Sequence, residues 1–167
     1  LSAAPLVRDS IMIVATLHGE VQAVNLSNGK RIGYVVLESA IAGTPVLDGG
    51  FLVVPLAAKT ESLVCYDLRE GKRAWVFPAG PIESSPLLLE GSIYVTTLEG
   101  NLICINRASG MEQWRFTTSD EERHKPTRST PATDGVNIFF GSDEGTIYAI
   151  NRSSGQLAWK YRGRSGI

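Results

Sequence analysis

Residues 84–116 read SSPLLLEGSIYVTTLEGNLICINRASGMEQWRF, and this stretch sets the outline of the whole chain. The same outline recurs in three further copies, which open at Ala4-Pro5-Leu6-Val7, Thr44-Pro45-Val46-Leu47 and Thr130-Pro131-Ala132-Thr133. Counted from proline to proline, with Pro86 for this stretch, the copies are 40, 41 and 45 residues apart. A period in this range is typical of repeat architectures.

Each copy carries an Asn or Asp and, four residues later, a glycine; three copies add a tryptophan four residues beyond the glycine. The Asn or Asp side chain can accept hydrogen bonds from the backbone of the following turn, which the glycine closes in a left-handed conformation. The next strand then carries the tryptophan over the neighbouring copy, so we interpret the motif as a clamp between units. In the first copy Gly33 takes the tryptophan position, and we expect a weaker clamp there. The motif residues are Asn25 and Gly29; Asp67, Gly71 and Trp75; Asn106, Gly110 and Trp114; and Asn151, Gly155 and Trp159.

Short apolar runs rich in Val, Ile, Tyr and Phe, separated by Gly, Asn, Asp or Ser, predict β-strands along the whole chain. Several runs are apolar on successive residues, for example Ile11-Met12-Ile13-Val14 and Phe51-Leu52-Val53-Val54. Such runs predict sheets that are covered on both faces, as in small sheets stacked radially. Pro55 lies inside the run of the second copy, so we expect a bulge or a local break there.

Composition limits the classes of function. The 167 residues are enough for one domain with a real core. With Lys+Arg 16 against Asp+Glu 17 the net charge is −1, which excludes a bulk attraction to nucleic acid. No apolar run approaches the roughly 20 residues of a membrane span. The opening Leu1-Ser2-Ala3 has neither an initiator Met nor the layout of a signal peptide, so we interpret the chain as a mature or excised piece.

Three stretches carry a resemblance to a known family: DLREGKRAW at 67–75, NRASGMEQW at 106–114 and NRSSGQLAW at 151–159. They resemble the blades of quinoprotein-type, or PQQ-like, β-propellers, and the resemblance covers essentially the whole chain. It implies an all-β fold of four-stranded antiparallel blades joined by tryptophan docking motifs. We place four blades at about 3–36, 43–78, 84–117 and 129–162.

The number of blades bears on assembly. A closed ring of this family normally has about seven or eight blades. Propellers in general have about four to eight. Four blades therefore imply half a ring with two exposed apolar faces. We expect further blades of the same chain, or a second copy, to close it.

The resemblance covers two groups of different function. Quinoprotein dehydrogenases hold pyrroloquinoline quinone (PQQ) and calcium, whereas BamB-type lipoproteins of outer-membrane protein assembly are scaffolds that bind proteins. We expect a non-catalytic scaffold with protein partners, which the resemblance would place in the periplasm or cell envelope. One alternative is part of a PQQ-dependent dehydrogenase whose catalytic residues lie outside this segment. Another is an accessory sensor domain of a larger multidomain protein.

The residues themselves predict no catalytic, cofactor-binding or metal site in this segment. The dehydrogenases that the chain resembles carry a disulfide between adjacent cysteines, whereas Cys65 and Cys104 hold equivalent positions in neighbouring blades. Matching points on stacked sheets lie roughly 10 Å apart and a disulfide needs Cα atoms within about 7 Å, so we expect buried free thiols. His18 and His124 are too few for a histidine-based metal site.

The strongest functional candidate is the connector at 118–128, TSDEERHKPTR. It is longer and more charged than the connectors at 36–42 and 78–83. Binding often resides on such loops when a rigid scaffold positions them, although a merely solvated insertion is the alternative. The predicted partner-binding residues are Asp120, Glu121, Glu122, Arg123, His124, Lys125 and Arg128.

Overall fold

The computed structural model describes residues 4–118 and 126–163. Within these ranges, sixteen β-strands form four antiparallel sheets of four strands each, which confirms the predicted fold class. The strands follow one another within each sheet, so every sheet is a simple meander. The first sheet contains β1 (Leu6–Arg8), β2 (Ile11–Ala15), β3 (Glu20–Asn25) and β4 (Arg31–Val36), and the second β5 (Val46–Asp48), β6 (Phe51–Pro55), β7 (Leu63–Asp67) and β8 (Lys72–Phe77). The third contains β9 (Leu87–Leu89), β10 (Ser92–Thr96), β11 (Asn101–Asn106) and β12 (Glu112–Thr117), and the fourth β13 (Ala132–Thr133), β14 (Asn137–Gly141), β15 (Thr146–Asn151) and β16 (Leu157–Arg162).

The core lies between the sheets. Val53 and Val54 are adjacent on β6 and fully buried, yet Val54 packs into the cluster shared with the first sheet and Val53 into the cluster shared with the third. Successive side chains of a strand point to opposite faces, so both faces of this sheet are covered. Because both faces are covered, the sequence of this strand is apolar on successive residues. A third cluster, which includes Leu102 and Ile138, joins the third and fourth sheets.

The fourth strand of each sheet is the exposed one. Every residue of β16 is exposed, β4 and β8 are each exposed at four of six positions, and β12 is exposed at three of six. A shift of register interrupts the pairing of the third and fourth strands at the same place in all four sheets, for example between Cys104 and Ile105. Such a bulge adds twist to the edge strand, which turns it toward the neighbouring sheet.

The prediction of a bulge or a local break at Pro55 is wrong. Strand β6 runs without interruption to Pro55, which pairs in register with Leu63. Proline is tolerated there because it is the last residue of the strand, where its missing N–H removes no bond from the middle of the ladder. The ladder continues past it, since the amide of Leu56 donates to the carbonyl of Ser62 at 2.7 Å.

The described ranges contain no helix that is long and apolar enough to cross a membrane.

A core substitution tests the stacking of the sheets. Ile103→Ala removes a side chain that is fully buried between the second and third sheets. We expect the free energy of unfolding to fall by about 3 kcal/mol because a cavity remains. The matched control is Ile32→Ala on β4, where the side chain is 54% exposed and the loss should stay under about 1 kcal/mol. Urea denaturation of both variants provides the measurement, and equal losses would contradict a core between the sheets.

Candidate interaction surface

The connectors between sheets and the hairpins between second and third strands lie on one side of the molecule, which we call the connector face. Backbone hydrogen bonds tie these segments together. Leu37 donates to Gly19 at 2.8 Å, and Leu98 donates to Pro81 at 2.9 Å. In an antiparallel meander these two kinds of connection must leave from the same end of the strands. The face therefore has a rigid base from which loop residues project.

The predicted partner-binding residues divide into two groups. Asp120, Glu121, Glu122, Arg123, His124 and Lys125 lie outside the described residues. Arg128 lies within them, on the connector face, with 54% of its side chain exposed.

Arg128 lies between two carboxylates of different segments. Its Nε donates to Glu83 at 2.8 Å, and its Nη1 pairs with Asp143. The hydrogen bond with Glu83, followed by the charge of Asp143, raises the pKa of Arg128. Exposed ion pairs contribute little to stability, so the main consequence is orientation: the guanidinium group joins three segments of the connector face.

The opposite side of the molecule, the turn face, carries the Asn and Asp residues of the motif. The side-chain oxygen of Asn106 accepts from the amides of Ala108 and Ser109, both at 3.0 Å. Asn25, Asp67 and Asn151 cap their own turns in the same way. These polar groups are thus engaged inside the turns.

Two indoles reach from one sheet to the turn of the next. Trp75 donates through Nε1 to the carbonyl of Arg107 at 2.8 Å, and Trp114 donates to the carbonyl of Arg152 at 3.0 Å. The Cγ and Cδ2 atoms of each indole lie beside the turn glycine. A Cβ atom added to Gly110 would lie 2.6 Å from the Trp75 ring, which only a glycine avoids.

Ion pairs run between the same sheets in the reverse direction. Arg107 pairs with Asp48, and Arg152 donates to Glu90 at 2.9 Å. The partners lie 59 and 62 residues apart in the chain. Our sequence reasoning did not find these pairs. The available signal was an arginine directly after the motif Asn in the third and fourth copies.

The two cysteines are buried free thiols. Burial raises the pKa of Cys65 to about 11 and also raises the pKa of Cys104. The Cys104 thiol donates to the Gln113 side chain at 3.2 Å, in a cavity of about 300 Å³ that Tyr94 also lines. Burial raises the pKa of Tyr94 to about 12. Thiols with raised pKa values stay protonated near neutral pH and are poor nucleophiles.

In the part of the chain that the structure describes, no three His, Cys, Asp or Glu side chains form a group that could hold a metal ion.

Two tryptophan substitutions test the contact between an indole and the turn of the next sheet. Trp114→Ala removes a hydrogen bond to the next sheet and the packing on Gly155. We expect a loss of about 3–5 kcal/mol in the free energy of unfolding. The matched control is Trp159→Ala, whose side chain is 48% exposed, and its loss should be clearly smaller. Guanidinium denaturation compares the two, and a larger loss for Trp159→Ala would show that the contact does not hold the sheets.

The raised thiol pKa predicts a pH dependence of stability. A folded-state pKa of about 11 for Cys65 lies above the ordinary thiol pKa of 9.0, so the folded state binds this proton more tightly than the unfolded chain does. The contribution of Cys65 to stability should therefore be fully present below about pH 9.0 and fall as the pH rises toward 11. The slope should become shallower in Cys65→Ala, measured by denaturation at several pH values. An unchanged slope in this variant would assign the effect to other groups.

A family model described as outer membrane protein assembly factor BamB matches residues 1–116 and again residues 100–166. No curated protein matches the sequence at a significant level. Among solved structures, BamB from Moraxella catarrhalis superposes with a TM-score of 0.80 at 19% identity, over 98% of this chain and 49% of that chain. The quinohemoprotein alcohol dehydrogenase ADHIIG from Pseudomonas putida HK5 has a TM-score of 0.84 at 17% identity, over 96% of this chain and 34% of that chain. The computationally designed Ika8 protein has a TM-score of 0.82 at 16% identity, over 98% of this chain and 50% of that chain.

This chain thus spans about half the length of the BamB structure and about a third of the dehydrogenase. At such identities the structural similarity shows the fold alone. The family model, in contrast, matches nearly every residue in two overlapping stretches. Together with the four meander sheets, this match shows that the chain belongs to the PQQ-like repeat family whose model is described as outer membrane protein assembly factor BamB.

Proposed function

We propose that this chain is a non-catalytic β-propeller scaffold that binds protein partners through its connector face. The observation that carries the proposal is the anchoring of Thr118 and Thr127, the threonines on either side of the charged sequence at 119–125. Before it, the amide and hydroxyl of Thr118 donate to the carbonyl of Gly100 at 2.8 and 2.9 Å. After it, the amide and hydroxyl of Thr127 donate to the carbonyl of Thr97 at 3.2 and 2.9 Å. Both anchoring threonines are buried.

The charges of this region favour a protein partner. The sequence at 119–125 reads SDEERHK, and Arg128, which follows, lies between Glu83 and Asp143. Surfaces of mixed charge give specificity and association rate in protein complexes, since complementary pairs are rewarded and like charges are penalised. Nucleic acid would require an excess of positive charge, which neither the stretch nor the whole chain has. The residues proposed to contact a partner are Asp120, Glu121, Glu122, Arg123, His124, Lys125 and Arg128.

The description of the family model also supports a scaffold that binds proteins. A role in outer-membrane protein assembly would place this chain in the cell envelope, and we propose that location with the function. The buried thiols agree with a scaffold, because their raised pKa values leave them protonated near neutral pH.

The second candidate is part of a PQQ-dependent dehydrogenase, and the superposition with quinohemoprotein alcohol dehydrogenase ADHIIG favours it. The donor set does not fit this candidate within the described ranges. Calcium prefers six to eight oxygen ligands, and the acidic side chains of these ranges do not gather in a group of three. Cys65 and Cys104 are separate free thiols. The candidate therefore requires residues beyond those described, as does a sensor domain of a larger protein.

Site-specific photo-cross-linking tests the scaffold function. We expect a cross-linker at Glu122 to give a discrete protein adduct in cells. The control position is Met111, which is 69% exposed on the turn face and should give none. Exchange of Glu121 and Arg123 for residues of opposite charge, with the cross-linker kept at position 122, should remove the adduct, because the complementary pairs are lost. The yield of adduct on denaturing gels is the measurement.

Two outcomes would contradict the scaffold function. One is equal cross-linking from Glu122 and Met111, because the connector face would then have no preference. The other is a gain of quinone absorbance with alcohol oxidation when the intact protein receives PQQ and calcium. That gain would establish the dehydrogenase candidate instead.

A further inference from the structure

A cleft of about 210 Å³ lies between the first and second sheets, on the turn face. Its lining is mainly apolar and comes from both sheets. The residues that matter below are Ala23, Gly33 and Tyr34 of the first sheet and Tyr66, Leu68 and Gly71 of the second.

The cleft lies where an indole would be expected. Trp75 pairs across its sheet with Cys65, and Trp114 pairs with Cys104. At the same register position of the first sheet, Ala23 pairs with Gly33. A Cβ atom added to Gly33 meets nothing within 4 Å, and its φ lies outside the left-handed region. Neither space nor backbone conformation requires a glycine there, so the missing side chain leaves an open volume.

The receiving turn is nevertheless complete. Asp67 caps it by accepting from the amide of Arg69 at 2.9 Å. Gly71 has a φ of +64°, close to the +69° of Gly110 and of Gly155. A Cβ atom on Gly110 or Gly155 would strike a tryptophan ring at 2.6 or 2.7 Å, whereas a Cβ atom on Gly71 meets nothing within 4 Å. The interface between the first and second sheets thus keeps the turn that accepts an indole elsewhere, but it has no indole.

The acceptor for a ring N–H is also present. Trp75 and Trp114 donate to the carbonyl of the residue directly after the motif Asn, which is Arg107 or Arg152. The corresponding residue in the second sheet is Leu68. Its side chain is 45% exposed, and it replaces the arginine that forms an ion pair in each of the other two interfaces. The rim of the cleft therefore lacks the ion pair of the other two interfaces, although Asp67 lines the cleft and the Arg31 guanidinium lies over the Tyr34 ring at 4.7 Å.

We propose that this cleft binds a tryptophan side chain presented by a partner polypeptide. The indole packs on Gly71 beside the Tyr66 ring and donates its N–H to the carbonyl of Leu68. A polypeptide is the better occupant than a free aromatic molecule, because the exposed side chains of Tyr34 and Leu68 flank the opening. They offer apolar contact to the residues next to the tryptophan. The site lies on the turn face and does not depend on the function proposed for the connector face.

A titration of the intact protein with model peptides tests this site. The probe is acetyl-Gly-Gly-Trp-Gly-Gly-amide; the comparison compounds are the same peptide with Ala for Trp, and free indole. The measurement is the shift of the backbone amide signals of Gly33, Leu68 and Gly71 in nitrogen-15 NMR. We expect saturation with a Kd of about 1 mM or tighter for the tryptophan peptide. Binding of the alanine peptide should be at least about tenfold weaker, and that of free indole also weaker.

Two variants of the same strand provide the controls. Gly33→Trp should fill the cleft from within, abolish the shifts and raise Tm by about 4 °C. Ile32→Trp adds an indole at the neighbouring position, which does not line the cleft, and should leave binding unchanged. If Gly33→Trp does not fold, Gly33→Leu fills part of the same volume and should weaken binding.

Several results would overturn the proposal. They are the absence of shifts at Gly71, equal binding of the tryptophan and alanine peptides, and undiminished binding by a folded variant at Gly33. Equal affinity for free indole and the tryptophan peptide would also overturn it, because the flanking contacts would then contribute nothing.

Discussion

The contact between an indole of one sheet and a glycine turn of the next is the interaction that fixes the second sheet on the third and the third on the fourth. A four-stranded sheet that is apolar on both faces needs a neighbour on each side, but apolar packing alone has little directional preference. The hydrogen bond from Trp75 to the carbonyl of Arg107 adds direction, and so does the bond from Trp114 to Arg152. Because each ring also lies directly on a glycine, it sets the distance as well as the angle between sheets.

This arrangement separates the two sides of the molecule by role. The turn face holds indoles, capped turns and the ion pairs of Arg107 and Arg152, which connect consecutive sheets. The connector face holds hairpins and loops whose bases are fixed by backbone bonds, and Arg128 is exposed on it. One side can therefore vary in sequence without disturbing the contacts between sheets, which suits a scaffold whose binding surface is adapted to its partner.

The interface between the first and second sheets differs from the other two in both of its connecting devices. It has Gly33 in place of the tryptophan and Leu68 in place of the arginine, while the apolar cluster below remains intact. The sheets consequently stay packed through their middle strands and open only at the turn face. A site for an external group can arise in this way, because the loss of one large side chain leaves a cleft whose shape the remaining structure maintains.

Much of the fold followed from the sequence, because strands and turns depend on neighbouring residues. The period of about 40 residues, the apolar runs and the Asn–Gly spacing of turns such as 106–110 predicted four all-β units, and the structure has four such sheets. Pro55 was misjudged because its cost depends on whether it lies within a strand or at its last residue, and the strand end was not evident from composition.

Other features were decided by the tertiary structure alone. They include the pairing of Arg107 with Asp48, the placement of Arg128 between Glu83 and Asp143, and the cleft beside Gly33. In sequence Gly33 is one departure from a motif, and its consequence appears only when Gly71 of the next sheet is set opposite. The physical reason is that a turn is specified by residues a few positions apart, whereas an ion pair or a cleft depends on how separate sheets stack.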